Sequence, residues 1–184
     1  MQWNAPNILT LLRIVPIPLF VIAYYIPYRD AHVVATTLFI IAAVTDWLDG
    51  YLARRLQQLS PFGAFLDPVA DKLMVAAALI VLLQLGRVDG FIALIIIGRE
   101  IAISALREWM AGAGQGKSVA VAFIGKIKTA SQMVAILLLL YHEPVAGLPI
   151  RQLGTWLIYI AAVLTIVSMI YYMAQAARSE NLQK

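Results

Sequence analysis

The stretch from residue 46 to residue 71 reads DWLDGYLARRLQQLSPFGAFLDPVAD and places four aspartates in a chain that is otherwise strongly apolar. The four are Asp46, Asp49, Asp67 and Asp71. Spacings of three within the first pair and four within the second put each pair on one face of a helix. An aspartate at the centre of a membrane helix costs about 2.5–3.5 kcal/mol on insertion scales. Four of them need compensation, which a bound cation would supply.

Composition places the chain in a membrane. It has 184 residues, of which 62% are hydrophobic and 13% charged, whereas soluble domains are about one quarter charged. A length of 184 residues favours one domain spanning 1–184. The chain contains no cysteine, which excludes disulfides and thiolate metal sites. The net charge of +4 suits anionic lipid and phosphate better than nucleic acid.

Loop signals divide the chain into six apolar segments, so we predict an all-α integral membrane protein with six transmembrane helices. Ser60-Pro61 is typical of a helix start, with a capping side chain followed by proline at the first helical position. Residues 1–10 are predicted to form a short interfacial helix anchored by Trp3. The six predicted helices cover residues 7–27, 32–56, 61–85, 90–111, 118–141 and 150–177.

The distribution of basic residues predicts the orientation of these helices. Six spans place both termini on the same side of the membrane. On that scheme only Arg29, Arg87 and Arg151 lean to the opposite side, and the other eleven of the 14 Lys and Arg residues lie on or lean to the terminal side. The positive-inside rule then puts both termini in the cytoplasm. The four aspartates fall in the cytoplasmic half as well.

The acidic stretch itself favours a metal site that receives phosphates. A short loop joins the two helices, so they are antiparallel neighbours and their acidic faces can converge. Clustered carboxylates suit Mg²⁺ or Mn²⁺. Gly50 and Ala53 allow phosphates to approach closely, and Arg54 is a planar phosphate donor. Two alternatives are structural ion pairs with basic residues on the helices and a cation pathway in a transporter or channel.

The pattern D-x-x-D-G-x-x-A-R-x8-G-x-x-x-D-x-x-x-D resembles the signature of the CDP-alcohol phosphotransferase family, with every fixed position filled. The run PNILTLLR at 6–13 is similar to the N-terminal part of that family. Segments 62–72, 98–109 and 124–129 resemble its bacterial members that make phosphatidylglycerophosphate. The resemblance therefore extends over nearly the whole chain.

This resemblance implies a six-helix homodimer in the bacterial cytoplasmic (inner) membrane, with its active site facing the cytoplasm. It implies that Asp46, Asp49, Asp67 and Asp71 hold two Mg²⁺ or Mn²⁺ ions and that Asp71 is the general base. The residues expected on the nucleotide side are Gly50, Ala53, Arg54 and Gly63, followed by Asn7 and Thr10.

Basic residues on the fourth and fifth spans indicate the second substrate. They are Arg99, Arg107, Lys126 and Lys128. Such residues are costly in a membrane unless paired or solvated, so some are expected to pair with Glu100, Glu108 or the aspartates. As a group they suit an acceptor that carries a phosphate.

We therefore expect transfer of the phosphatidyl group from CDP-diacylglycerol to sn-glycerol 3-phosphate, giving phosphatidylglycerophosphate and CMP. Inositol phosphate, phosphatidylglycerol and serine are the alternative acceptors.

Overall fold

The computed structural model describes residues 14–26, 30–56, 61–112 and 123–181. Within these ranges, the side chains of residues 46–56, 61–67, 111–112, 123–124, 175 and 178–181 are outside the description. The described part of the chain is helical and contains no strand, apart from an isolated bridge between Val145 and Leu148. The predicted all-α fold is confirmed for this part of the chain.

Six helices follow one another along the described residues. Their bounds are α1 Pro16–Tyr25, α2 Ala31–Leu56, α3 Pro61–Gln84, α4 Gly90–Gly112, α5 Phe123–Tyr141 and α6 Ile150–Asn181.

Local sequence explains several of the helix ends. Helix α1 begins with proline in its first turn, where the missing N–H costs nothing. The Asp89 carboxylate accepts the Phe91 N–H at 2.7 Å and so caps the start of α4. Gly86, with φ of +64°, adopts the left-handed conformation that commonly ends a helix, just beyond α3.

The predicted bounds of α2, α3 and α4 agree closely with the observed ones, whereas α1 ends at Tyr25, before its predicted end at 27. Ile26 precedes Pro27 and adopts an extended backbone with ψ of 124°, because a proline disfavours helical geometry in the residue before it. Helix α3 begins at Pro61, as predicted, and α2, α3 and α4 otherwise differ from prediction by one residue at one end. Residues 7–13 and 118–122, predicted to open α1 and α5, lie outside the described residues, as do 1–10. Helix α6 continues to Asn181, four residues beyond the predicted end at 177. Its last turns carry polar residues that favour helix but lack the apolar pattern used to draw the boundary.

Length and apolar composition identify one membrane-spanning candidate among the described residues. It is the segment Ile150–Ala174 of α6, with a mean hydropathy of 2.1. Two shorter apolar helical stretches, Pro16–Tyr25 and Ala31–Thr45, lie in α1 and α2.

The chain forms two compact units. The first comprises Met1–Leu85 with Leu140–His142. Within it, α1 packs against both α2 and α3. The fully buried rings of Phe20 on α1 and Phe39 on α2 lie 6.1 Å apart, centroid to centroid. The Tyr25 hydroxyl at the end of α1 donates to the Gln84 side chain at the end of α3.

The second unit comprises Gly86–Leu139 with Glu143–Lys184. Within it, α4 packs against α6. The Arg87 guanidinium donates to the Leu139 carbonyl at 2.9 Å, in the last turn of α5, where carbonyls lack partners within the helix. Helices α5 and α6 approach closely at Gly154. A β-carbon there would lie 2.9 Å from Leu139 Cγ and 3.1 Å from Leu138 Cβ.

This close approach predicts that Gly154→Ala destabilises the protein. The new methyl group would clash with the buried Leu139 side chain, and overpacking of this kind costs about 1–3 kcal/mol. Thermal unfolding of the purified protein in detergent measures the loss. Gly98→Ala is the matched control, since a β-carbon there meets nothing within 4 Å. It should leave stability unchanged or raise it by up to about 1 kcal/mol. Equal melting temperatures for the two variants would contradict the packing described here.

Candidate active site

The four aspartates of the acidic stretch lie on two helices of the first unit. Asp46 and Asp49 lie near the end of α2, and Asp67 and Asp71 lie in the first half of α3. The prediction that both pairs are on helices is confirmed. The side chains of the first three lie outside the described residues, so the predicted convergence of the two acidic faces stays a prediction.

Asp71 is the member of this group whose side chain is described. It is exposed on α3, one turn after Asp67. Pro68 lies inside the same helix and lacks the N–H that would bond to the carbonyl four residues earlier. The Lys72 ammonium donates to the Pro68 carbonyl at 2.9 Å. This segment of α3 therefore departs from regular helical hydrogen bonding beside two of the aspartates.

The residues predicted for the nucleotide side fall mainly outside the description. Gly50, Ala53 and Arg54 lie on the backbone of α2, and Gly63 lies in the first turn of α3, but their side-chain surroundings are not described. Asn7 and Thr10 lie outside the described residues altogether. Their proposed contacts stay predictions.

The basic residues predicted for the acceptor lie in the second unit, where they divide into a buried pair and an exposed pair. The buried pair is Arg99 on α4, 7% exposed, and Lys128 on α5, 1% exposed. The exposed pair is Arg107 on α4 and Lys126 on α5.

Glu100 is the anion that accompanies the buried pair. Its carboxylate accepts a hydrogen bond from the Lys128 ammonium and lies 3.4 Å from an Arg99 guanidinium nitrogen. The expectation that some of the basic residues pair with Glu100 is thereby confirmed for both. A second Arg99 nitrogen donates to the Ser168 hydroxyl on α6 at 3.1 Å. The cluster therefore links α4, α5 and α6, and its charges compensate one another inside the unit.

The exposed pair is available to a ligand. Arg107 carries its guanidinium over the ring of Tyr172, with 5.6 Å between Cζ and the ring centroid. Lys126 lies on α5 two residues before Lys128, so the two point to different sides of the helix. Each of these exposed cations can attract an anionic group without disturbing the buried pair.

Two residues at this site were not predicted from the sequence. Ser168 and Tyr172 lie on α6, where they contact Arg99. Helix α6 is apolar around most of its circumference, so no period singles out one face. The signal that could have found them is their four-residue spacing, which places a hydroxyl and a ring on one side of the helix.

The sequence is similar to a known protein family over most of its length. The family model of the CDP-alcohol phosphatidyltransferases matches residues 3–167. The chain belongs to this family. The match covers the acidic stretch of α2 and α3, the basic residues of α4 and α5, and much of α6. The resemblance read from the signature is confirmed, and this family member is an enzyme that transfers phosphatidyl groups.

Curated relatives match the phosphatidyltransferase over its full length. A protein of Pectobacterium atrosepticum is 49% identical over 100% of both chains. One of Salmonella typhimurium is 47% identical over 100% of both chains. One of Sodalis glossinidius is 50% identical over 96% of both chains. Each of the three is named CDP-diacylglycerol–glycerol-3-phosphate 3-phosphatidyltransferase.

The buried ion cluster predicts the effect of Glu100→Gln. Losing the carboxylate removes the ion pairs that Glu100 makes with the buried Lys128 and Arg99. Removing one partner of a buried pair costs about 3–5 kcal/mol. The Glu100 side chain is 20% exposed, which places the expected loss toward the lower end. Thermal unfolding in detergent measures it.

Glu108→Gln, an exposed position on the same helix, is the control and should melt like the unaltered protein. Adding Lys128→Met to Glu100→Gln should restore part of the lost stability, because it replaces a buried ammonium that has lost the Glu100 carboxylate by an apolar side chain. A Glu100→Gln protein as stable as the parent would show that the pair contributes nothing.

Proposed function

We propose that the protein transfers the phosphatidyl group from CDP-diacylglycerol to sn-glycerol 3-phosphate, giving phosphatidylglycerophosphate and CMP. The observation that carries the proposal is the full-length similarity, at 47–50% identity, to relatives named for this reaction. The exposed cations of α4 and α5 support it independently, because glycerol 3-phosphate carries an anionic phosphate that they can bind.

The acidic stretch would hold the metal ions. Asp46, Asp49, Asp67 and Asp71 supply hard oxygen donors of the kind that Mg²⁺ and Mn²⁺ prefer, and Asp71 is exposed where an ion can reach it. This donor set fits two divalent ions. When bound, such ions neutralise the pyrophosphate and stabilise the charge that develops on the leaving CMP.

Asp71 would act as the general base. A carboxylate near bound cations stays ionised, so it can accept the proton of the acceptor hydroxyl as that oxygen forms its bond to phosphorus. The bond that breaks joins the same phosphorus to the oxygen of CMP. Gly50, Ala53, Arg54 and Gly63 would hold the cytidine diphosphate group, with Asn7 and Thr10 as further contacts. The small residues leave room for phosphates, and Arg54 offers them paired donors.

Arg107 and Lys126 would bind the acceptor phosphate directly, because they are the exposed members of the basic set. Arg99 and Lys128 would support them from within. Both are already engaged with Glu100, which makes them less available to a ligand. A phosphate held by cations orients the glycerol hydroxyl and converts an encounter of two molecules into a reaction within one complex.

We also propose the membrane arrangement implied by the charge distribution. The chain would cross the bacterial cytoplasmic membrane six times, with both termini and the active site on the cytoplasmic side, and would work as a single catalytic domain in a homodimer. The apolar span of α6 and the excess of basic residues on the terminal side support this topology.

CMP release with a panel of acceptors tests the reaction. Purified protein is incubated with CDP-diacylglycerol, Mg²⁺ and either sn-glycerol 3-phosphate, inositol phosphate, phosphatidylglycerol or serine. We expect release with glycerol 3-phosphate. Asp71→Asn should lower turnover by roughly a hundredfold or more, because an amide cannot take up the proton. Asp30→Asn, outside the site, should turn over normally.

Other outcomes separate the alternatives. Release with another acceptor only would overturn the acceptor assignment and keep the family chemistry. No release with any acceptor would refute the proposed reaction. Near-normal turnover by Asp71→Asn would exclude Asp71 as the base.

Lys126→Ala should affect the KM for glycerol 3-phosphate and the KM for CDP-diacylglycerol differently. Losing a charge-assisted contact to phosphate raises the KM for glycerol 3-phosphate by roughly tenfold or more, while the KM for CDP-diacylglycerol changes little. Steady-state kinetics with each substrate varied in turn measures both. Arg151→Ala removes an exposed cation at the start of α6 and is the matched control. Equal changes in both KM values would argue against a separate acceptor site.

A further inference from the structure

The ring of Tyr172 lies within reach of two arginines of α4. The Arg99 guanidinium carbon is 5.7 Å from the ring centroid and that of Arg107 is 5.6 Å. Both distances fall within the range of about 6 Å in which a cation is attracted to an aromatic ring. The two arginines are eight residues apart on the helix, which is about 12 Å along its axis. One ring therefore bridges two side chains that lie more than two turns apart.

Apolar packing fixes the position of this ring. Tyr172 is fully buried and belongs to a cluster with Ile103, Met110 and Ala176. Ile103 lies midway along α4 between the two arginines, so the cluster occupies the space between them. Leu106 and Met169 pack against the cluster from its edge. A side chain held in this way has little freedom to follow a moving partner, so the arginines adapt to the ring.

The two arginines differ in how firmly they are held. Arg99 is buried and also contacts Ser168 and Glu100. Arg107 is exposed and carries a long side chain whose ordering costs rotamer entropy. Attraction to the ring offsets part of that cost before any ligand arrives. The Tyr172 ring is thus placed to order the more exposed of the two cations.

We propose that Tyr172 is a positioning residue for the acceptor phosphate: its buried ring sets the reach of the Arg107 guanidinium toward the ligand and ties it to the fixed Arg99. This inference rests on the proposed function, which assigns Arg107 to the acceptor. Tyr172 itself is fully buried and acts through the arginine. The property that matters is the aromatic face, since the attraction arises from the ring and not from the hydroxyl.

Replacements that keep or remove the ring test the proposal. Binding of sn-glycerol 3-phosphate and of inorganic phosphate to the purified protein is measured by calorimetry for Tyr172→Phe, Tyr172→Leu and Tyr172→Met. The Phe variant should bind within about twofold of the parent, and the Leu and Met variants roughly tenfold more weakly. Met fills much of the same space without an aromatic face, so the Met variant replaces the Leu variant in the comparison if the Leu variant does not fold. Tyr159→Leu, an exposed tyrosine on the same helix, is the control.

A double-mutant cycle with Arg107→Ala separates positioning from a general structural effect. If the ring acts through Arg107, Tyr172→Leu should weaken binding by less than about twofold in the Arg107→Ala background. In steady state the Leu variant should raise the KM for glycerol 3-phosphate and leave kcat and the KM for CDP-diacylglycerol nearly unchanged. Effects that multiply in the double variant, or a Phe variant as weak as the Leu variant, would overturn the proposal.

Phosphate binding and CMP release are measured separately, so that the positioning role of Tyr172 and the proposed reaction can be refuted independently. An unaltered protein that binds phosphate but releases no CMP with glycerol 3-phosphate would refute the proposed reaction. The order of the Tyr172 variants in phosphate binding would still decide the role of the ring. An unaltered protein that binds neither phosphate nor glycerol 3-phosphate would overturn the positioning role as well.

Discussion

Charge buried in an apolar unit must be compensated where it lies, and the Glu100 carboxylate does this for the second unit. It accepts from Lys128 of α5 and lies beside Arg99 of its own helix, and Arg99 in turn reaches Ser168 on α6. Three helices that share an apolar character have few other features to fix their register. The cluster supplies such a feature, because sliding α5 by one turn would separate Lys128 from Glu100, and sliding α6 would separate Ser168 from Arg99.

The exposed cations Arg107 and Lys126 lie on the same two helices as this cluster, α4 and α5. Their charges face solvent, where the Glu100 carboxylate inside the unit does not compensate them. Burial thus separates the four cations into a pair engaged inside the unit and a pair left exposed. The Tyr172 ring connects the two pairs, since it contacts Arg99 of the first and Arg107 of the second.

Most helix bounds could be predicted from the sequence because this chain carries strong local signals for where a helix begins or ends. Pro61 and the Asp89-Gly90 pair carry backbone constraints that act locally, so the observed starts of α3 and α4 follow from them. The end of α6 could not be predicted in the same way, because residues near Asn181 continue the helix through backbone propensity after the apolar pattern has ended. Propensity is a weaker signal than periodicity.

The sequence identified the candidate aspartates and cations but not the residues of α6 that contact Arg99. Spacings within one helix revealed the acidic pairs and the pairing partner Glu100, which is adjacent to Arg99 in sequence. Ser168 and Tyr172 are about seventy positions away from Arg99, and their contacts depend on how α4 and α6 pack. The close packing at Gly154 could not be predicted for the same reason, because nothing near it in sequence signals the approach to Leu139, fifteen residues earlier.

This close packing has a consequence for related sequences, because the side chains at 154 and 139 must share one space. A lineage that acquires a larger residue at 154 should also acquire a smaller one at 139, so the two sites are expected to change together among related sequences.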